Sequence, residues 1–163
     1  MRNVSAAAHD EEARVTKRIL IVDDDRTLRE VLKNFFLAFE HGHTYEIATA
    51  PDGTYAIGAL LQGQFDLVLL DMRMPLMGGL DVLTQMRHHD IRVPVLMLTG
   101  NQDTKAAAEA LKHGVFAYVP KPVAMAHLEH LVALALSSVP PAADDRRRAA
   151  QHDPTPESTV PVS

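Results

Sequence analysis

Arg18-Ile19-Leu20-Ile21-Val22-Asp23-Asp24-Asp25 sets an unbroken run of four aliphatic residues against three carboxylates. A short continuous apolar run is what a strand covered on both faces requires, because a half-exposed strand would alternate. The same design recurs in Phe65-Asp66-Leu67-Val68-Leu69-Leu70-Asp71, in Val93-Pro94-Val95-Leu96-Met97-Leu98 before Thr99-Gly100, and in Val115 to Val119 before Pro120-Lys121-Pro122. A further strand fits Tyr45 to Ala48. Helical spacing fills the intervals. Asp25 is placed as N-cap of a helix whose Leu28, Val31, Leu32, Phe35, Phe36 and Phe39 form one apolar face, and His41-Gly42-His43 stops it. A second helix runs from about Pro51-Asp52 to Leu61, and a third opens at Gly78-Gly79 and reaches about His88. A fourth, alanine-rich, is capped by Asp103 and ends at His113 before Gly114; a last one reaches Ser137. Five strand–helix units in succession predict an α/β fold, a five-stranded parallel sheet with helices on both faces and right-handed crossovers.

The ends are of another kind. Residues 1 to 17 lack hydrophobic periodicity and read as a flexible arm, with no apolar stretch of the sort a signal peptide needs. From Ser138 onward Pro140-Pro141, Pro154 and Pro156 stand among alanine and charge; such a segment buries too little apolar surface to offset its ordering entropy. It reads as a disordered Pro-rich tail or linker stub over 138–163, leaving 18–137 as the one domain. With 163 residues, 47% apolar and 23% charged, the chain suits one soluble domain. A net charge of -5 leaves no footprint for nucleic acid, and Arg146-Arg147-Arg148 is offset by Asp144-Asp145. Absence of cysteine excludes disulfides and thiolate metal sites. No apolar stretch is long enough for a membrane span, so a cytoplasmic location is expected.

In an open α/β sheet, ligands bind beyond the carboxyl ends of the strands. There stand Asp23 and Asp24 after the first strand, Asp71 after the third, Thr99 after the fourth and Lys121 after the fifth. Singly, each has an ordinary explanation: a solvated loop carboxylate, a local hydroxyl hydrogen bond, a surface lysine. Together they assemble three carboxylates, a hydroxyl and an amine on one edge. Packed carboxylates repel, and protonation or a cation must relieve them. Oxygen-only ligands favour a hard ion, Mg²⁺, which keeps some of its waters. A nucleophilic carboxylate, a metal, an ammonium and a positioned donor are the parts of in-line phosphoryl transfer to a carboxylate. The His41/His43 pair, on a polar turn, is read as turn residues rather than ligands.

The ordered set Ile19 to Asp25, Asp66 to Pro75, Pro94 to Gly100 and Tyr118 to Pro122 resembles the receiver domain of response regulators in two-component signalling, across essentially all of 18–137. The resemblance implies a flavodoxin-like, doubly wound sheet of order 2-1-3-4-5 with Asp71 as phosphoacceptor. It implies Asp24, Asp71 and the backbone carbonyl of Arg73 as Mg²⁺ ligands, with Asp23 acting through water. Lys121 would pair with the phosphate, across a cis Lys121–Pro122 bond; Thr99 would move toward the phosphate and Tyr118 would swing into the space it leaves. Gly78 stands where the family more often has a polar N-cap, and Arg73 and Asn101 hold positions that influence the lifetime of the acyl phosphate.

So read, the chain is a two-state switch rather than an enzyme, promoting its own phosphorylation and dephosphorylation. The phosphoryl group would come from a sensor histidine kinase or phosphotransfer protein. The output would pass to an effector protein or a homodimer through Lys105 to Tyr118 and Val123 to Leu136, with no nucleic acid or membrane contact. Phosphate must bind the two states differently by roughly 5 kcal/mol to carry the population from one to the other. Two alternatives stand beside it. A haloacid-dehalogenase-like phosphatase would use Asp23 of Asp23-x-Asp25-x-Thr27, but its late acidic pair would have to be Asp144-Asp145 in the tail, and no cap domain is present. A pseudo-receiver would act by protein contacts alone, although no pocket residue is missing.

Overall fold

A computed structural model describes residues 15–39, 42–100 and 104–138, leaving aside the side chains at 104, 106 and 107. The elements alternate: β1 Val15–Val22, α1 Arg26–Leu37, β2 His43–Ala50, α2 Gly53–Gln62, β3 Leu67–Asp71, α3 Gly79–His88, β4 Val95–Thr99, α4 Thr104–Lys112, β5 Ala117–Pro120 and α5 Met125–Ser137. All strand pairings are parallel, in the order β2-β1-β3-β4-β5. This is the flavodoxin-like doubly wound sheet. Chain order reverses direction between β1 and β3, and at such a switch point the crevice for a ligand opens.

The apolar runs of the central strands divide by parity. Leu20, Val22, Val68, Leu70 and Met97 face Ala56, Leu60, Val82, Leu83, Met86 and Ala110 from α2, α3 and α4. Ile19, Ile21, Leu67, Leu69, Leu96 and Leu98 face Leu32, Phe36, Leu128 and Val132 from α1 and α5. Each buried aliphatic side chain is worth about 1.5–3 kcal/mol relative to exposure, so the two-sided run fixes the inner strands. Register then brings the carboxyl ends level: Val22 lies opposite Leu70, Asp71 opposite Leu98, and Thr99 opposite Pro120.

Several boundaries differ from expectation. β1 begins at Val15, so residues 15–17, expected in the arm, are strand; they pair with His43–Tyr45, and Thr16 Oγ1 lies 2.9 Å from Thr44 Oγ1. β3 begins at Leu67, although Asp66 is tied to Arg18 twice, its N–H donating to Arg18 O at 2.8 Å and its carboxylate accepting the Arg18 N–H at 2.8 Å. β4 begins at Val95, just past Pro94, which has no N–H. β5 begins at Ala117, since Gly114 turns left-handed (φ 84) and the Val115 N–H still bonds Ala110 O. In α1 the expected apolar face is incomplete: Val31 is 44% exposed. That helix ends at Leu37, before His41, and His43 belongs to β2 rather than to a turn. His41, Asn101, Asp103 and the segments 1–14 and 139–163 lie outside the described residues. Among those described, no helix is long and apolar enough to cross a membrane.

Candidate functional site

The acidic turn after β1 is tied at each step. The Asp23 N–H donates to Ala50 O (3.2 Å), the Asp25 N–H to Asp23 Oδ1 (2.9 Å), and the Thr27 and Leu28 N–H groups to Asp25 Oδ1 (2.9 and 3.3 Å). Asp25 is thus the N-cap that the sequence suggested. Asp23 is fully buried while Asp24 is exposed. Asp71, the last residue of β3, is buried, and its Oδ1 accepts the Arg73 N–H at 3.3 Å.

The fifth strand delivers the counter-charge. Lys121 Nζ lies 2.9 Å from Asp23 Oδ2 and 3.1 Å from Asp71 Oδ1, joining residues nearly a hundred positions apart. Burial raises the Asp71 carboxyl pKa, the neighbouring Asp23 carboxylate raises it further, and Lys121 only partly offsets them, leaving it at about 6 against an ordinary 3.8. For Lys121, burial pulls the ammonium pKa down, but hydrogen bonds and attraction from Asp23 and Asp71 outweigh it, and the pKa is raised. Carboxylate oxygens of Asp23, Asp24 and Asp71 all lie within 4.8 Å of one another. Three such hard donors, two of them buried, suit a divalent cation of the Mg²⁺ or Ca²⁺ type.

Thr99 ends β4 and is buried one strand away from Asp71; its backbone carbonyl accepts the Lys121 N–H at 2.6 Å. Lys121–Pro122 is cis, as the resemblance implied. Tyr118 lies on β5 and is 43% exposed, not inserted beside Thr99. The structure therefore brings Asp23, Asp24, Asp71 and Lys121 together, sets Thr99 beside them through the backbone, and leaves Tyr118 at the surface.

Two participants escaped the sequence reading. Arg29, on the first turn of α1, donates from Nη1 to the backbone carbonyl of Asp23 at 2.7 Å. The only signal was a cation one turn into the helix that follows the acidic run. Gly79 lies against the backbone that follows β3: its N–H donates to Met72 O at 2.9 Å, and a Cβ there would sit 2.5 Å from Asp71 O and 3.0 Å from Met72 Cα. The Gly78-Gly79 doublet was legible as a helix start, with the Gly78 N–H donating to Asp81 Oδ2 at 3.2 Å, but not as a close approach.

Comparison with known proteins agrees with this geometry. The profile of the response regulator receiver domain matches residues 19–133. Regulatory protein AtoC of Escherichia coli (strain K12) is 38% identical over 119 residues, 73% of this chain but 25% of AtoC, so the likeness spans about a quarter of that protein. Chemotaxis protein CheY-3 of Vibrio cholerae is 38% identical over 114 residues, 69% of this chain and 85% of CheY-3. The crystal structure of a response regulator receiver domain protein from Clostridium thermocellum superimposes with a TM-score of 0.67 at 26% identity, covering 82% of this chain and 98% of that one. On sequence, topology and the convergence of acidic strand ends alike, this chain belongs to the response regulator receiver domains of two-component systems, whose standard function is that of a phosphoryl-accepting switch.

Proposed function

We propose that the phosphoryl group is accepted on Asp71, with Mg²⁺ held by Asp24, Asp71 and the backbone carbonyl of Arg73 and with Asp23 reaching it through water. The observation that carries this reading is the placing of Asp71: buried at a strand end, beside two more carboxylates, and reached by the Lys121 ammonium at 3.1 Å. When bound, Mg²⁺ would supply positive charge that offsets the repulsion between the Asp71 carboxylate and an incoming phosphoryl group. The remaining work belongs to the chain. An ionised Asp71 oxygen attacks phosphorus in line; the new P–O bond forms as the bond to the donor nitrogen breaks, and that nitrogen keeps the electron pair. Lys121 exchanges the Asp71 oxygen for a phosphoryl oxygen while keeping Asp23, a charge-assisted bond of the stronger kind. The Thr99 hydroxyl donates to another oxygen, and Tyr118 moves into the room it leaves. Asp23, 2.9 Å from the Lys121 ammonium, orients it.

The donor in this reading is the phosphohistidine of a sensor kinase or phosphotransfer protein, and the chain assists its own modification and the later hydrolysis rather than turning over a separate substrate. Readout passes through α4, β5 and α5, where Leu111, Tyr118 and Leu134 are 50%, 43% and 45% exposed, to an effector protein or a second copy. The phosphatase alternative asks Asp23 to be the nucleophile. Against it, one Asp23 oxygen accepts the Asp25 N–H, the other accepts Lys121, and the residue is fully buried. Asp144-Asp145 lies outside the described residues.

Intact-mass measurement after exposure to acetyl phosphate and Mg²⁺, followed by peptide mapping, tests the assignment. One added phosphoryl group on the peptide carrying Asp71 is expected, with none on Asp71→Asn. Labelling of Asp71→Asn equal to wild type, or a modified Asp23, sinks it.

A further inference from the structure

The acidic turn contains one unequal member. Asp23 is held through both oxygens, and Asp25 caps α1, but among the described residues no hydrogen bond holds the exposed Asp24 carboxylate. Its direction is set by the backbone alone, and first by the peptide plane joining Asp23 to Asp24. No backbone N–H among the described residues donates to the carbonyl of that plane. Arg29 does, at 2.7 Å.

The guanidinium comes from a firm base. α1 is anchored by Leu32 and Phe36, 0% and 1% exposed, and its first turn is fixed by the Asp25 cap. Surrounded in sequence by Asp23, Asp24, Asp25 and Glu30, Arg29 forms no ion pair with a described residue and spends its bond on a neutral carbonyl. A charge-assisted bond to a carbonyl orients a peptide plane more sharply than a neutral one. Mg²⁺ demands near-ideal octahedral placement of its ligands, and groups that only orient a ligand commonly govern affinity about 10–100-fold.

We infer that Arg29 is a positioning residue for the metal: by gripping the Asp23 carbonyl it sets the Asp23–Asp24 peptide, and so the Asp24 carboxylate, in the pose that takes Mg²⁺. The inference rests on the reading of Asp24 as a ligand. It also has an uncommon sign. Arg29 is a cation near a cation site, so by Coulomb's law alone its removal tightens Mg²⁺ binding; by orientation, its removal weakens it.

Calorimetric titration of the full chain with Mg²⁺ separates the two. Arg29→Met keeps the aliphatic stem and removes the donors. It is expected to weaken Mg²⁺ by about 10–100-fold and to leave the melting temperature in chelator within a few degrees of wild type. Labelling by acetyl phosphate should recover to the wild-type extent at saturating Mg²⁺. Affinity equal to or tighter than wild type overturns the inference. Should circular dichroism find Arg29→Met unfolded, Arg29→Gln is read by the same criterion. Asp24→Ala serves as the control: if it binds Mg²⁺ as wild type does, or if wild type does not bind at all, the fault lies in the ligand assignment itself, and the role of Arg29 falls with it.

Discussion

The proposed attack needs Asp71 ionised, yet its surroundings favour the proton: burial first, and then Asp23, push its carboxyl pKa up to about 6. The folded state therefore binds this proton more tightly than the unfolded chain does. Stability owed to it is complete below the ordinary carboxyl value, falls as pH rises through the interval up to about 6, and stays lost above. In chelator, Asp71→Asn should consequently be the more stable protein at pH 7.5, by on the order of 1–2 kcal/mol, with the advantage gone near the acid end of that interval. Urea midpoints of both proteins across pH check this; a difference independent of pH contradicts it. The residues of the site were legible because each follows an apolar run whose end the fold must place at one edge. Arg29 was not, since its partner is a backbone carbonyl and carbonyls carry no sequence signature. Tyr118 is exposed on β5, its side fixed by strand parity opposite the buried Val119, and the inward swing implied for it would start from there.

At the scale of elements, two glycines make opposite demands. Gly79 begins α3 with backbone atoms of Asp71 and Met72 at 2.5 and 3.0 Å from where a Cβ would stand. Gly58 lies inside α2 with nothing within 4 Å. The same change to alanine should therefore act in opposite directions. Gly79→Ala forces the Asp71–Met72 backbone to shift and costs about 1–3 kcal/mol, whereas Gly58→Ala gains about 0.5–1 kcal/mol from helix propensity. Thermal melts of the two single variants decide it, and melting shifts of the same sign would refute the packing account. Element order and type were readable from apolar runs, caps and turn residues alone. The boundaries were not, and the reasons are local. Val15 to Lys17 extend β1 on the strength of pairing with β2, while their side chains are largely exposed and so leave no apolar mark. β3 starts at Leu67, within a run that reads as continuous from Phe65, with Asp66 tied to Arg18 by its backbone N–H and its carboxylate together.

For the molecule as a whole, folding brings Asp71 up to the adjacent carboxylates of Asp23 and Asp24, and any cation that binds only the folded form stabilises it by mass action. Mg²⁺ should raise the melting temperature saturably, with a gain of about 2.7 kcal/mol at a hundredfold excess over the dissociation constant, and Asp24→Ala should abolish most of that gain. Differential scanning calorimetry with and without chelator measures it; an equal rise in Asp24→Ala would mean that the cation acts elsewhere. The five-stranded sheet that gathers these groups also has two rims. At one of them β5 spans only Ala117–Pro120 and closes on a proline, with a second proline at 122. A strand so brief, whose last residue has no amide hydrogen to offer, is a poor template for a foreign strand. The rim between α4 and α5 is thus protected against runaway sheet extension, and any partner that meets it is left with side chains rather than a free strand edge to grip.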